Sequence, residues 1–341
     1  MNQLLFRLLA CPSCRSDKLV KVEPGVKSHE AEPPRCNVGL ISCSSCDRWY
    51  PIEDGIVCML PDSLRVRARD EAFIEEHGDT LGVETIERLK ELVRSWDYSD
   101  SAIKLFDDFE VPIIRKDRTK YVNHRLKFEA ILQGVKGSGN GPYLELACGN
   151  GTHAALLLEE YPDISYVGID ISHMRLRETQ ERIEKYGNVL LVQASLEALP
   201  FREASFSAIY AASVLQYLKR PQEGMKEAQR VLKENGSFTT LDYNPKCYAS
   251  ILGLAESHHK GDKLIDEHMY ERMTRENIKK WMKEAVFSDT KIENFLYLPG
   301  ILPIALYASR AINNLIKRIP FINEFSIMLL TTAKKHEDID H

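Results

Sequence analysis

A doubly wound, Rossmann-like α/β domain with a seven-stranded sheet, preceded by a small metal-stapled domain and a helical connector, is the architecture this sequence predicts. Three observations predict it. From Pro142 onward, apolar strand-like runs alternate with amphipathic helical patterns, as in a parallel sheet covered on both faces. The first of those runs, Tyr143-Leu-Glu-Leu-Ala147, breaks directly into a glycine turn and then a helix. Six of the eight cysteines fall within the first sixty residues, four of them in two Cys-x-x-Cys pairs.

A chain of 341 residues can bury a full α/β core and still carry a second domain. The hydrophobic fraction of 44% and charged fraction of 28% are those of an ordinary globular protein. A net charge of -5 and a pI near 6.1 argue against broad contact with nucleic-acid phosphates. No run reaches the ~18 uncharged apolar residues of a membrane span. The apolar start, Met1-Asn-Gln-Leu-Leu-Phe-Arg-Leu-Leu-Ala10, lacks a basic leader and a small-residue cleavage site. A cytoplasmic address is therefore expected, where cysteines serve metals or cores before disulfides.

Composition divides the chain into residues 1–62, a connector at 63–140, and residues 141–341. Short β-like runs fill the first part, at 39–43 and 55–60. In the connector, Leu81, Val83, Ile86, Leu89, Leu92 and Val93 recur at helical spacing, and a further helix is expected over 121–132. The connector is expected to cap the substrate or cofactor. Strands are expected at 143–147, 166–169, 189–193, 206–211, 237–242, 291–297 and 325–333, with helices such as 173–186 and 221–232 between them.

Cys11-Pro-Ser-Cys14 and Cys43-Ser-Ser-Cys46 form two knuckles, each placing two thiolates on one ion. Together Cys11, Cys14, Cys43 and Cys46 complete a closed tetrahedral zinc set with no position left for substrate, so the site is structural. In so small a domain the metal could decide folding, contributing on the order of 10–16 kcal/mol. The loop between the knuckles is long enough for Cys36 to replace one ligand, whereas Cys58 sits in an apolar run and reads as core. Leu8-Leu-Ala-Cys-Pro-Ser-Cys14, with Cys43-Ser-Ser-Cys-Asp-Arg-Trp-Tyr-Pro-Ile-Glu-Asp-Gly-Ile56, resembles the zinc-ribbon activator subunit of tRNA and protein methyltransferases. In that family the ribbon supports a catalytic partner; the resemblance implies that the partner here is the rest of the same chain.

In Leu146-Ala-Cys-Gly-Asn-Gly151, Gly149 and Gly151 permit unusual backbone angles and close approach of a ligand. Asp170 follows about twenty residues on, at the tip of the next strand, where a carboxylate can hold ribose hydroxyls. The spacing also satisfies a dinucleotide fingerprint, so a dehydrogenase is the rival. Glu145 argues against it, because a carboxylate suits an ammonium and sulfonium better than a pyrophosphate.

Five segments in order resemble a class I S-adenosylmethionine-dependent methyltransferase of the ubiquinone/menaquinone-biosynthesis type. They are 144–151, Val167-Gly-Ile-Asp-Ile-Ser172, Ala194-Ser-Leu-Glu-Ala-Leu-Pro-Phe201 with Ser205-Phe-Ser-Ala-Ile209, Val214-Leu-Gln-Tyr-Leu218, and 227–236. The resemblance implies that Glu145, Leu146, Ala147, Cys148, Gly149 and Gly151 hold the methionine end of S-adenosylmethionine. Asp170 and Ile171 would take the ribose, Ser195 and Leu196 the adenine, and Ala211 with the residues to 213 would lie beneath the methyl group. Ser195 and Ser207 stand where the family usually has Asp, and Asn235-Gly236 replaces a Gly-Gly turn, which Asn tolerates.

Methyl transfer mainly requires alignment of acceptor and sulfonium in a dry pocket. His258 and His259, in the insertion that covers the substrate, are the first candidates for a base, and Tyr217 is the second; His124, His153, His268 and Tyr121 are further candidates. Asp242-Tyr-Asn-Pro245 follows the fifth strand rather than the fourth, which disfavours amide or base nitrogen as acceptor. Cys148 and Cys247 alone do not make an arsenic site. Residues 301–319 form an amphipathic helix with Ile301, Ile304, Ala308, Ile312, Leu315 and Ile319 on one side and Arg310, Lys317 and Arg318 nearby. It reads either as a helix packed on the sheet or as a lipid-facing wall touching a membrane surface.

The expected function is methyl transfer to oxygen or carbon of a small or lipid-like acceptor, releasing S-adenosylhomocysteine. Two rivals stand beside it. One is an rRNA or tRNA methyltransferase whose ribbon grips RNA, since a family of large-subunit rRNA guanine methyltransferases also joins a ribbon to this fold. The other is a non-catalytic binding protein of the same fold.

Overall fold

The computed structural model describes residues 3–22, 38–96, 118–139, 141–248, 273–298 and 306–335. At its centre lies one sheet of eleven strands, in the order β1-β2-β3-β4-β7-β6-β5-β8-β9-β11-β10. The first four are β1 (Leu19–Val22), β2 (Gly39–Cys43), β3 (Trp49–Glu53) and β4 (Ile56–Cys58). The rest are β5 (Tyr143–Leu146), β6 (Tyr166–Asp170), β7 (Val189–Gln193), β8 (Phe206–Ala212), β9 (Leu232–Tyr243), β10 (Ser288–Phe295) and β11 (Met328–Lys334). The five strands from β7 to β9 run parallel, and β11 is antiparallel to both its neighbours.

All seven expected strands are present, but the sheet does not end with them. β4 joins the outer edge of β7 in parallel, with Val57 opposite Val192 and Cys58 opposite Gln193. The expected strand count is corrected accordingly, from seven to eleven, within the Rossmann-like class expected. Pairing between such distant segments leaves no periodic trace in either one.

Strands buried on both faces read as continuous apolar runs, as β5, β6 and β7 do. On one face Leu144, Leu146, Val167, Ile169 and Val192 pack with Met225, Ala228, Ile278 and Met282 of α7 (Pro221–Val231) and α8 (Arg275–Glu284). Leu5, Leu9, Ile41, Tyr50, Val57 and Met59 belong to the same cluster, so the ribbon shares a core with the parallel sheet. On the other face Tyr143, Tyr166, Leu191, Tyr210 and Leu241 lie against α4 (Arg118–Val135), α5 (Thr152–Glu160) and α6 (His173–Ile183). α6 starts where the Ser172 hydroxyl accepts the Arg175 amide, and α7 where Pro221 opens the first turn. Chain runs straight from α7 into β9, which therefore begins at Leu232 rather than 237; Asn235 takes the left-handed conformation expected at that turn (φ 60°).

The connector's described helices divide. α4 covers the sheet, whereas α2 (Arg67–Leu81) and α3 (Val83–Ser95) pack Phe73, Ile74, Leu81, Leu89 and Val93 against Leu40 and Trp49 of the ribbon. Arg65 fastens this second core: its guanidinium donates to the Trp49 carbonyl, pairs with Asp70 at 2.8 Å, and lies over the rings of Trp49 and Trp96 at 4.8 and 4.6 Å.

The amphipathic segment at 301–319 does not simply pack on the sheet. Its described part is α9 (Leu306–Ile316), tied to α4 by Arg310 and Glu129. Leu315 is 64% exposed and Ile319 38%, so the C-terminal part of the expected apolar side faces outward, whereas Ala308 and Ile312 are half-buried. Among the described residues no helix is long and apolar enough to cross a membrane.

The Arg65–Asp70 pair yields a stability prediction. Both side chains are buried, so Arg65→Ala breaks a buried ion pair and empties the space between Trp49 and Trp96, and should destabilise the chain by about 3–5 kcal/mol in urea unfolding. A change below about 1 kcal/mol would show that the pair does not fasten the connector.

Candidate functional site

The strand order reverses between β5 and β8, and the crevice at their carboxyl ends is where open α/β sheets take ligands. β5 leaves the sheet through three left-handed residues: Ala147 (φ 54°), Gly149 (φ 55°) and Gly151 (φ 73°). The two glycines serve different ends. Among the described residues no atom lies within 4 Å of where a Gly149 Cβ would sit, so that surface is open to a ligand. A Cβ on Gly151 would stand 2.9 Å from Thr179 Cα, so Gly151 lets α6 approach the loop.

Asp170 joins this loop to the end of β6. Its Oδ2 accepts the Gly149 amide at 2.9 Å and its Oδ1 the Ser172 amide at 3.0 Å. Burial pushes its pKa up, and those amides pull it back in part. Each carboxylate oxygen keeps further acceptor capacity, which suits a pair of ribose hydroxyls. Ile171 gives its carbonyl to the Gln193 amide at 2.9 Å. Beyond β7, Ser195 and Leu196 are buried, and the Ser195 hydroxyl accepts the Glu197 amide at 3.2 Å. Leu146 and Ala211 stand opposite each other at the carboxyl ends of β5 and β8, and Cys148 is buried beside Thr179.

Glu145 sits on the α5 side of the sheet, 2% exposed. Its Oε2 accepts the hydroxyls of Tyr166 (2.7 Å) and Tyr210 (3.1 Å), and its Oε1 lies 3.7 Å from His153 Nδ1. The sequence places this carboxylate at the methionine end of a nucleoside; the structure gives its oxygens to two phenols and an imidazole. Burial, with Glu145 next to them, pushes both phenol pKa values well up, so they remain donors. His153 packs edge-on against His124 of α4, 5.6 Å between ring centres.

His258, His259 and His268 lie outside the described residues, as do Cys36 and the side chain of Tyr121. Tyr217 is half-buried in the 3-10 turn Leu215–Tyr217 just after β8. Sequence reasoning missed the polar groups around that turn. Ser213 is left-handed (φ 59°) and donates its amide to the Leu241 carbonyl at 2.6 Å, joining the ends of β8 and β9. Beside it, Ser213 Oγ, Gln216 Oε1 and both carboxylate oxygens of Asp242 are buried without a hydrogen-bond partner of normal geometry among the described residues. Asp242 is 0% exposed; burial raises its pKa to about 7, with the Thr240 hydroxyl and Leu215 amide offsetting only part of that. The available signal was a carboxylate at the end of the run Phe238-Thr-Thr-Leu241, in a strand flanked by others on both sides.

At the N-terminus, the Sγ atoms of Cys11, Cys14, Cys43 and Cys46 all lie within 4.8 Å of one another. The Cys11–Cys46 and Cys14–Cys43 separations are both 3.6 Å. Tetrahedral zinc with bonds of ~2.3 Å sets its sulfurs about 3.8 Å apart, so the four thiols fit that ion. The knuckles fold alike, with Arg15 and Asp47 left-handed and their amides returning to the carbonyls of Cys11 and Cys43.

Known proteins resemble this chain in two places. Residues 144–240 match the family model described as a methyltransferase domain, and residues 2–55 match that of Trm112p-like proteins. A malonyl-[acyl-carrier protein] O-methyltransferase of Herminiimonas arsenicoxydans is 37% identical over 100 residues, 29% of this chain and 36% of the relative. A ubiquinone/menaquinone biosynthesis C-methyltransferase of Syntrophotalea carbinolica is 33% identical over 119 residues, 34% of this chain and 50% of the relative. Matches to the first curated relatives thus span between 36% and 55% of their length. A chain from the complex of the Haloferax volcanii Trm112 methyltransferase activator with a methyltransferase aligns at 16% identity and a TM-score of 0.49, covering 66% of this chain and 95% of that one. The chain thus carries, in one polypeptide, a stretch similar to Trm112p-like proteins at 2–55 and one similar to methyltransferase domains at 144–240.

Proposed function

We propose that this chain is an S-adenosylmethionine-dependent methyltransferase acting on oxygen or carbon of a small or lipid-like acceptor, with a structural zinc ion held by Cys11, Cys14, Cys43 and Cys46. One observation carries the reading: the open surface over Gly149 has a buried carboxylate, Asp170, bonded to its amide, at the switch point of the sheet. When bound there, S-adenosylmethionine supplies an electrophilic methyl group on a sulfonium. The turn from Ala147 to Gly151 cradles its amino-acid end, with Glu145 acting from behind through His153. Asp170 takes the ribose hydroxyls, Ser195 and Leu196 flank the adenine, and Ala211 with Ser213 forms the floor beneath the methyl group.

Alignment in a water-poor cleft does most of the work. On the acceptor side we assign Asp242 the role of holding or taking the acceptor's proton, because a carboxyl with a pKa about 7 is poised for either near neutrality. Gln216 and Ser213 have spare buried capacity to orient the acceptor. The similarity to a malonyl-[acyl-carrier protein] O-methyltransferase and to a ubiquinone/menaquinone biosynthesis C-methyltransferase supports an oxygen or carbon acceptor. The exposed Tyr307, Leu315, Phe321 and Phe325, near Lys317 and Arg318, support a lipid-like one and contact with a membrane surface.

Calorimetry with S-adenosylmethionine tests the reading directly. The full chain should bind it, and Asp170→Ala should weaken binding by about 10- to 100-fold, the worth of one or two hydrogen bonds to a charged group. Failure of the wild-type chain to bind would contradict the assignment.

Asp242 gives a pH test with a definite sign. The folded chain holds its proton up to about pH 7, whereas the unfolded chain releases it near the ordinary carboxylate value. Folded chains therefore bind the extra proton between those values, and stability is lost as pH rises through that window. Asp242→Asn should remove this loss, raising the melting temperature at pH 8 relative to wild type by more than at pH 5. Equal effects at the two pH values would show that Asp242 does not titrate there.

A further inference from the structure

We propose that Glu53, Cys58 and His173 form a second metal site, taking a zinc-class divalent ion at the seam between the ribbon and the parallel sheet. One ligand atom from each residue lies within 4.8 Å of those of the other two. Glu53 closes β3 and Cys58 closes β4, on either side of the turn Asp54-Gly55; His173 opens α6 three positions after Asp170. The three come from both sides of the seam.

None of these donors is well used by the protein alone. Cys58 is nearly buried, and its Sγ has only long contacts, 3.9 Å to Glu53 Oε2 and 3.9 Å to the Ile56 carbonyl. His173 Nε2 is buried and makes no hydrogen bond among the described residues. The frame around them is already fixed: Gln180 donates to the Asp54 carbonyl at 2.6 Å, and Arg177 pairs with Asp54 at 3.3 Å. Tetrahedral bonds of ~2.0–2.3 Å set ligand atoms about 3.5 Å apart; Cys58 Sγ and Glu53 Oε2 are already 3.9 Å apart, so side-chain adjustment alone closes the site.

The charges also suit a divalent ion. One carboxylate and one thiolate cancel its two charges, the imidazole is neutral, and the thiol's proton passes to solvent on binding. Arg69, Arg65 and Arg177 are the nearby guanidinium groups, and the carboxylates of Asp54, Glu76 and Asp70 stand against them. Thiolate with imidazole selects zinc, and its spectroscopic surrogate cobalt, over magnesium or calcium. His173 also lines a cleft of about 370 Å³ with Arg69, Met174, Arg177, Glu178 and Glu181, through which water reaches a fourth position. Three protein ligands plus water differ from the closed Cys₄ set, and that difference is measurable.

Metal content of the full chain, purified with zinc, is the test, and it does not depend on methyl transfer. Wild type should carry two zinc ions per chain, and Cys58→Ser and His173→Gln one each. In the cobalt-substituted chain both variants should lose the visible bands of the mixed-ligand site while keeping those of the four-thiolate site. If Cys58→Ser fails to fold, His173→Gln at the solvent-reachable helix start gives the same readout. One ion per chain in wild type, or two ions retained in both variants, would overturn the proposal.

Discussion

Three residues of β4 lying along the edge of β7 are the constraint on which the rest of the molecule depends. A parallel sheet that ended at β7 would present a bare edge of unpaired amides and carbonyls, a template for unwanted pairing. Instead the ribbon's last strand occupies it, and the Met59 amide extends the match by donating to the Gln193 carbonyl at 2.8 Å. A second tie runs past the end of the same strand: the Ala10 amide donates to the Pro200 carbonyl and the Arg202 amide to the Leu8 carbonyl, both at 2.9 Å. Between these ties lies the turn bearing Ser195 and Leu196. Arg15, at the first cysteine knuckle, reaches the same turn through the Leu199 carbonyl and Glu227. Burial alone would raise Glu227, but hydrogen bonds from Arg230 and Arg15 outweigh it and hold its carboxyl below the ordinary range. The four-cysteine head is thus built into the wall of the crevice rather than attached to it.

That arrangement explains why so small a head can be stable. A sixty-residue ribbon buries little surface alone. Here Leu9, Ile41, Tyr50 and Val57 finish the core of the large sheet, while Leu40 and Trp49 finish that of α2 and α3. Each face of the hairpin is covered by a different neighbour, and the four-cysteine end touches both, through Arg15 to Glu227 and through Asp47 to Arg88 of α3.

Local signals made most of this visible in the sequence. The cysteine spacings, the turn at Gly149 and Gly151, and Asp170 at a strand tip depend on residues close together in the chain, and the order of strands follows from alternating periodicity. What escaped was non-local. Nothing in Ile56-Val-Cys58 announces Val189–Gln193 as its partner, and nothing around Glu145 announces that Tyr166 and Tyr210 will take its oxygen. Asp242 was legible as a strand end but not as a buried carboxyl, because burial is set by the turn after β8. The helix at 306–316 misled for the opposite reason: its apolar stripe is real, yet the neighbour it meets is α4 along a narrow contact.

If the ribbon holds the wall of the nucleoside crevice, the most direct measurement is calorimetric affinity for S-adenosylmethionine before and after zinc is stripped from the full chain. Affinity should fall at least about tenfold in the stripped chain and return when zinc is restored, a coupling of ~1.4 kcal/mol or more. Unchanged affinity in the zinc-free chain would mean that the crevice stands without its metal-bearing edge, and would contradict the coupling between them.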